Sequence, residues 1–148
     1  MPSTSGSNLL VRPAQLVDLP FIKALADAHR HELGFVLLPS LREQIERGEM
    51  IIAKQDKALV GFVDYHRRRD GQVTLYHIVV APTSRRQGVG RSLLAALEAV
   101  GRDTGCFRIA LKCPIDLVSN HFYEHYGFVL NSTIEGRKRP LNLWTLSL

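Results

Sequence analysis

Apolar residues fall along the chain in short runs, separated by Gly, Pro and Asp or Asn turns. Leu9-Leu10-Val11-Arg12-Pro13-Ala14 reads as a short first strand, stopped by Pro13, which has no amide to donate. Asp18 then stands as an N-cap, with Pro20 in the first turn, for a helix from about Leu19 to His31. Its apolar face is Phe21, Ile22, Leu25, Ala28 and Leu33, and Gly34 ends it. His29 and His31, two positions apart, are expected on different sides of that helix. The apolar connection Phe35-Val36-Leu37-Leu38-Pro39 leads to Ser40, read as the cap of a second helix over Leu41 to Arg47, closed by Gly48.

Strand signals follow. Met50 to Lys54 and Ala58 to His66 form a hairpin around Gln55-Asp56-Lys57, and Asp70-Gly71 is a favoured turn into the next strand. That strand, Val73 to Val80, is rich in β-branched and aromatic residues and closes at Ala81-Pro82. Ser92 to Val100 carries leucines at 93, 94 and 97 and reads as a helix. Gly101 to Gly105 break the pattern before a strand at Phe107 to Cys113, whose partial alternation fits a sheet covered on both faces. Asp116 can cap a helix running through Tyr126. Gly127 to Leu130 and Leu141 to Leu146 supply two last strands, flanking a basic turn at Gly136 to Pro140. An antiparallel meander therefore feeds one strand–loop–helix unit, which makes the class α/β. No internal repeat, low-complexity tract or interdomain linker interrupts it.

A length of 148 residues with 45% hydrophobic content suits one domain with one core. We assign residues 9–148 to that domain and residues 1–8, polar and without a hydrophobic signal core, to a frayed tail. No apolar run approaches the roughly 20 residues needed to cross a bilayer, so no membrane partner is expected and the cytoplasm follows by default. Cys106 and Cys113 fall on one expected strand with opposite parity, which argues against a mutual disulfide. A net charge of +5 calls for an anionic partner, while Arg67-Arg68-Arg69 and Arg137-Lys138-Arg139 fit solvated turns.

The loop Arg85-Arg86-Gln87-Gly88-Val89-Gly90-Arg91, between strand and helix, supplies the candidate chemistry. The first turn of a helix leaves amides without intrahelical acceptors, and the dipole makes that end partly positive. Glycines let backbone approach a ligand closely, and arginines add charge-assisted contacts. Phosphate or pyrophosphate is the natural guest. No Lys-Ser or Lys-Thr follows, and the dinucleotide pattern lacks its third glycine, so neither a Walker nucleotide site nor a nicotinamide site is favoured.

Val80-Ala81-Pro82, two residues, then Arg85-Arg86-Gln87-Gly88-Val89-Gly90 resembles the acetyl-CoA loop of the GNAT acetyltransferase superfamily, Arg/Gln-x-x-Gly-x-Gly/Ala after a strand ending in Pro. Ser119-Asn120-His121-Phe122-Tyr123-Glu124-His125-Tyr126-Gly127-Phe128 is similar to the same family's Phe-Tyr-x-x-x-Gly-Phe signature. The resemblance covers nearly the whole chain. It implies a mixed, mostly antiparallel central sheet of roughly six to seven strands with about four helices and a splayed parallel pair of central strands. It further implies acetyl-CoA as donor, CoA as product, and an amine acceptor, either a small molecule or an amine carried by protein or RNA. In this reading the backbone at Ile78, Val79 and Val80 meets pantetheine as an added strand, an N–H near Val80 polarises the thioester oxygen, and the amides of Gln87, Gly88, Val89, Gly90 and Arg91 hold the pyrophosphate, with Arg85 or Arg86 assisting. Tyr123 takes the place of the family's general acid to the leaving thiolate, beside Phe122.

Relatives often carry a glutamate base in the strand before the loop, where this chain offers Thr74 and Tyr76 and no carboxylate. His77 has opposite parity to Tyr76. A water relay, Glu32 from the first helix, or an acceptor that arrives neutral all stay open. Asp116 stands where relatives carry a cofactor-contacting Asn and cannot donate as that Asn does, which leaves Ser119 and Asn120 as alternative contacts. His121 and His125 have the i, i+4 spacing of metal ligands but no third ligand, so no metal is assigned. The competing class is a basic nucleic-acid- or protein-binding module in which CoA binding is structural or lost. A homodimer is compatible with a domain of this size, with no interface marked in the sequence.

Overall fold

The computed structural model describes residues 8–148. The tail expected at residues 1–8 therefore lies, except for Asn8, outside the described residues; Asn8 donates to Asp56 Oδ1 at 2.6 Å. The strands are β1 (Leu9–Pro13), β2 (Met50–Gln55), β3 (Ala58–Arg67), β4 (Gln72–Val80), β5 (Arg108–Pro114), β6 (Val129–Ile134) and β7 (Leu141–Ser147). They form one seven-stranded sheet in the order β1-β2-β3-β4-β5-β7-β6, mixed because β4 and β5 run parallel. The α-helices among the described residues are α1 (Leu19–Ala28), α2 (Arg30–Leu33), α3 (Leu38–Glu46), α4 (Val89–Asp103) and α5 (Ser119–Tyr126). The chain sorts into two compact units, one running up to Tyr65 and including His77–Leu97, the other His66–Tyr76 with Glu98–Leu148.

In the first unit β2 is flanked antiparallel by β1 and β3, with Ile52 opposite Phe62 and Met50 opposite Asp64. The hairpin turn is tighter than the sequence suggests. Asp56 and Lys57 alone turn the chain, with φ of 51° and 73°, the left-handed pair a two-residue hairpin requires. Leu19, Ile22 and Ala26 of α1 and Leu41 and Ile45 of α3 pack on Met50, Ile52, Phe62 and Val79, so both helices cover one face of these strands. Burying each large side chain there contributes about 1.5–3 kcal/mol. On the other face Gly61 makes room for α4: a Cβ there would stand 2.9 Å from the Val79 carbonyl oxygen and 3.2 Å from Val89.

Four sequence expectations change in this unit. The helix expected to run to His31 breaks at His29, whose backbone leaves the helical region at φ −113° while its ring is buried and its Nδ1 lies 2.9 Å from the Leu25 carbonyl. The break also brings the rings of His29 and His31 into a stack at 6.4 Å, where an unbroken helix would separate them. Phe21 and Ala28, expected on the apolar face, are exposed, because the buried stripe runs through Leu19, Ile22 and Ala26. The next helix starts at Leu38 and not after Ser40: Leu37 takes the N-cap position and Pro39 sits in the first turn, where no amide is needed.

The second unit is built on β5, which pairs parallel with β4 over Gln72–Thr74 against Arg108–Ala110 and antiparallel with β7 along its whole length. Arg108 Nε donates to Gln72 Oε1 at 2.8 Å, and Gln72 Nε2 donates to Thr74 Oγ1 at 2.9 Å, which fixes the parallel register with side chains as well as backbone. The Asp70-Gly71 turn forms as expected, with the Arg68 N–H on the Gln72 carbonyl at 2.8 Å. Cys106 precedes β5 instead of lying on it, and both cysteines are buried thiols outside any disulfide. β6 extends to Ile134, past the expected end at Leu130, through Asn131, Ser132 and Thr133; it is an exposed edge strand, and its polar residues break the apolar pattern. Asp116 does not cap α5. Val118 holds that position, and Asp116 pairs with Arg139 at 2.8 Å.

Candidate functional site

In the first unit β4 runs into a 3-10 turn at Pro82–Ser84, then the exposed loop Arg85 to Gly88, then α4. Arg86 and Gly88 both take left-handed backbone, at φ 66° and 81°. Gly88 does so without strain, and its carbonyl accepts the first bond of α4 from Ser92 N–H at 3.0 Å. The amides that open α4 therefore lie past the last intrahelical acceptor, at the positive end of the helix dipole. A Cβ at Gly88 would meet nothing within 4 Å, so the space in front of the loop is open. Main-chain amides at a helix N-terminus, with open space beside Gly88 and arginines in the same loop, make a setting that suits an anion such as a diphosphate.

Side chains hold that loop in place. Gln87 accepts from Gln55 Nε2 at 3.0 Å and donates to the Thr83 carbonyl at 3.4 Å, which ties it to the β2–β3 hairpin. Arg85 donates from Nε to the Val80 carbonyl at 3.3 Å and from a terminal nitrogen to His29 Nε2 at 3.0 Å, with Glu32 at 3.8 Å. His29 can accept there only as the neutral tautomer whose Nδ1–H donates to Leu25, so the ring links α1 to the loop arginine. Arg85 thus clamps the loop to the α1–α2 break, while Arg86 is exposed at the loop's crest. Of the β4 residues named from sequence, Val79 is buried in the core cluster, and Ile78 and Val80 are half-buried beyond the three registered pairs with β5.

His77 is the β4 side chain that sequence reasoning left without a role. Its Nδ1 lies 2.9 Å from Asp64 Oδ1, and Asp64 is only 4% exposed on β3. Burial pulls the imidazole's pKa down, but the hydrogen bond to Asp64 and its charge outweigh that, and the ring ends above the ordinary histidine value. Thirteen residues separate the two, so only the β3–β4 arrangement joins them. Tyr76 is half exposed, and Thr74 accepts from Gln72.

In the second unit α5 presents Tyr123 buried, its ring edge-on to Phe128 at 5.6 Å and tilted against Phe122 at 5.6 Å. Gly127 ends the helix at φ 124° and the Phe128 N–H returns to the Tyr123 carbonyl at 3.0 Å, which is what the Phe-Tyr-x-x-x-Gly-Phe spacing serves structurally. Ser119 is half-buried at the first turn. Asn120 has other work. Its amide nitrogen donates to the carbonyls of Leu117 at 2.7 Å and Pro114 at 2.9 Å, and its oxygen accepts from Trp144 Nε1 at 2.8 Å and Asn142 at 3.1 Å. Its polar atoms are thus committed to joining α5 to β7. His121 and His125 are exposed on α5.

The model of the Acetyltransferase (GNAT) family matches residues 18–128, which include both the loop and α5. Among solved structures, Ard1 from Thermoplasma volcanium is similar at TM-score 0.85 and 16% identity, over 95% of this chain and 98% of that one. Ribosomal-protein-alanine N-acetyltransferase from Brucella melitensis is similar at TM-score 0.78 and 24% identity, over 94% and 99%. N-acetylglutamate synthase from Neisseria gonorrhoeae, solved with coenzyme A and N-acetyl-glutamate, is similar at TM-score 0.82 and 20% identity, over 95% of this chain and 35% of that one. These likenesses concern the fold. With the family model covering most of the sequence, including the loop that opens α4, the chain belongs to the GNAT acetyltransferase family.

Proposed function

We propose that this enzyme moves the acetyl group of acetyl-CoA to a primary amine by direct attack within a ternary complex, and that residues 9–148 act as one acetyltransferase domain. Family membership supplies the donor and the transfer. The amides of Gln87, Gly88, Val89, Gly90 and Arg91 would hold the pyrophosphate, with Arg86 as the nearby cation and Arg85 keeping the loop in shape. Backbone groups of Ile78, Val79 and Val80 would take the pantetheine arm as an added strand, and an N–H near Val80 would stabilise the oxyanion. Tyr123 would give the proton that the departing thiolate needs, with Ser119, Asn120 and Phe122 shaping its surroundings.

The observation that carries this reading is the left-handed backbone of Arg86 and Gly88 just ahead of α4, with open space beside Gly88. The acceptor class rests on the apolar connection before α3, where Phe35 and Leu37 are exposed and suit a partly apolar amine or an aminoacyl chain end. Among the described residues no helix is long and apolar enough to cross a membrane. The buried free thiols Cys106 and Cys113 suit a reducing compartment, and on that ground we place the protein in the cytoplasm.

Thermal denaturation with acetyl-CoA tests the reading, since a ligand that binds only the native state raises its stability by about 2.7 kcal/mol at a hundredfold excess over Kd. A rise in Tm that scales with acetyl-CoA concentration is expected. An unmoved Tm at millimolar acetyl-CoA in low salt would sink the proposal.

A further inference from the structure

We propose that His77, oriented by Asp64, is the base that takes the proton from the acceptor amine; this rests on the acetyl-transfer reading above. An amine arrives in water mostly as an ammonium ion and cannot attack a thioester until it loses that proton. Gln72-Val73-Thr74-Leu75-Tyr76-His77-Ile78-Val79-Val80 carries no carboxylate, so β4 offers one basic side chain, the imidazole of His77.

The pair is built as a proton acceptor must be. The Asp64 carboxylate, 2.9 Å from Nδ1, selects the tautomer with the proton on Nδ1 and leaves the lone pair on Nε2. Asp64 is buried, whereas the His77 side chain is 29% exposed. His77 adjoins Ile78, the first main-chain contact proposed for the pantetheine arm. It also lies on the acceptor-facing side of the sheet in this reading. Asp64 pairs in register with Met50 and alternates with Phe62, and both of those pack against α1 and α3, the helices that carry the apolar connection Phe35–Leu38 between them.

The charge around the ring is simple. Asp64 of β3 is the ion that bears on it. The buried faces packed on these strands bring Leu19, Ile22 and Ala26 from α1, Leu41, Gln44 and Ile45 from α3, and Met50 and Ile52 from β2, none of which titrates. Of the unit's other carboxyl residues, Glu32 is engaged with His31 and Arg85, Asp18 with Arg12, Asp27 with Lys23 and Glu43 with Arg47, while Glu49 is buried just ahead of β2. The raised basicity of His77 narrows its gap to an alkylamine and makes it the stronger acceptor.

The ammonium passes one proton to His77 Nε2. The freed nitrogen pair attacks the carbonyl carbon, forming the C–N bond. Collapse of the adduct breaks the C–S bond and sends that pair to sulfur. The sulfur takes up one proton and the attacking nitrogen gives up its second, so these two cancel. Amide, CoA thiol and an imidazolium result, and the imidazolium returns its proton to solvent.

The test compares wild type with His77→Gln, Asp64→Asn and Asp64→Glu. Thiol release from acetyl-CoA is followed with water and then with benzylamine as acceptor probes, over about pH 5.5–9, and acetyl-CoA affinity is measured by calorimetry. For wild type the rate should climb with pH through a midpoint above the ordinary histidine value. His77→Gln should lose about 10²–10⁴-fold in turnover and its acid limb, with acetyl-CoA affinity kept. Asp64→Asn should slow the reaction and move the midpoint down, and Asp64→Glu should restore part of both. Histidine NMR of the acetyl-CoA complex decides the case whichever probe turns over: a proton on Nδ1 with a raised midpoint supports the assignment. A proton on Nε2, or a His77→Gln protein with wild-type turnover and profile, overturns it. Absence of acetyl-CoA binding by wild type would instead overturn the acetyl-transfer reading itself.

Discussion

Asp18 is buried to 2% exposure and accepts three bonds, two from the Arg12 guanidinium at 2.8 and 3.0 Å and one from the Gln15 N–H at 2.8 Å. The Arg12 hydrogen bond outweighs burial and holds the carboxyl below its usual range. Arg12→Met removes the partner but not the buried charge and should cost about 3 kcal/mol, read as a lower urea midpoint at unchanged m. An unmoved midpoint would mean the carboxylate is satisfied without the arginine. Tyr123→Phe deletes one hydroxyl from a packed ring and should leave the fold and acetyl-CoA affinity near wild type. If the phenol is the acid, turnover falls by about 10²-fold or more. A mutant with full turnover takes the acid role away from Tyr123.

Between elements, the contact that joins α5 to β7 runs through Asn120, whose oxygen serves both Trp144 and Asn142. Asn120→Ala would strand the indole N–H of Trp144, itself 5% exposed, and should destabilise by about 1–3 kcal/mol. Chemical denaturation checks this, and a loss of acetyl-CoA affinity beyond that of the unfolded fraction would restore the direct cofactor contact first considered for this residue. The element order and both signatures could be read from the chain because they are local: a strand closed by Pro82, glycines opening α4, and Gly127 ending α5 each act within a few residues. What stayed hidden depends on partners far along the chain. Nothing near His77 announces Asp64, and nothing near Arg85 announces His29, 56 residues away. The break in the first helix was missed for the same reason, since His29 leaves the helix to reach an arginine that hydrophobic periodicity cannot see. Polar β6 escaped because an edge strand need not alternate.

At the scale of the whole molecule, the folded-state values of Asp18 and His77 shift in opposite senses. Asp18 has a depressed folded-state value, so its contribution is present above about pH 4, the unfolded carboxyl range, and is lost as pH falls through the lower folded value. His77 has a raised folded-state value, so its contribution is whole below about pH 6.5 and is lost as pH rises through the higher folded value. Both are intact only between those limits. The proposed base must be unprotonated to act, so the enzyme would work on the alkaline side, where the His77–Asp64 pair has given up its charge-assisted stabilisation. Unfolding free energies for wild type and Asp64→Asn, measured from mildly acidic to mildly alkaline pH, should differ most below about pH 6.5 and converge toward a plateau above it. A difference independent of pH would show that the imidazole gains no proton from its partner, and would remove the physical basis for a strengthened base on β4.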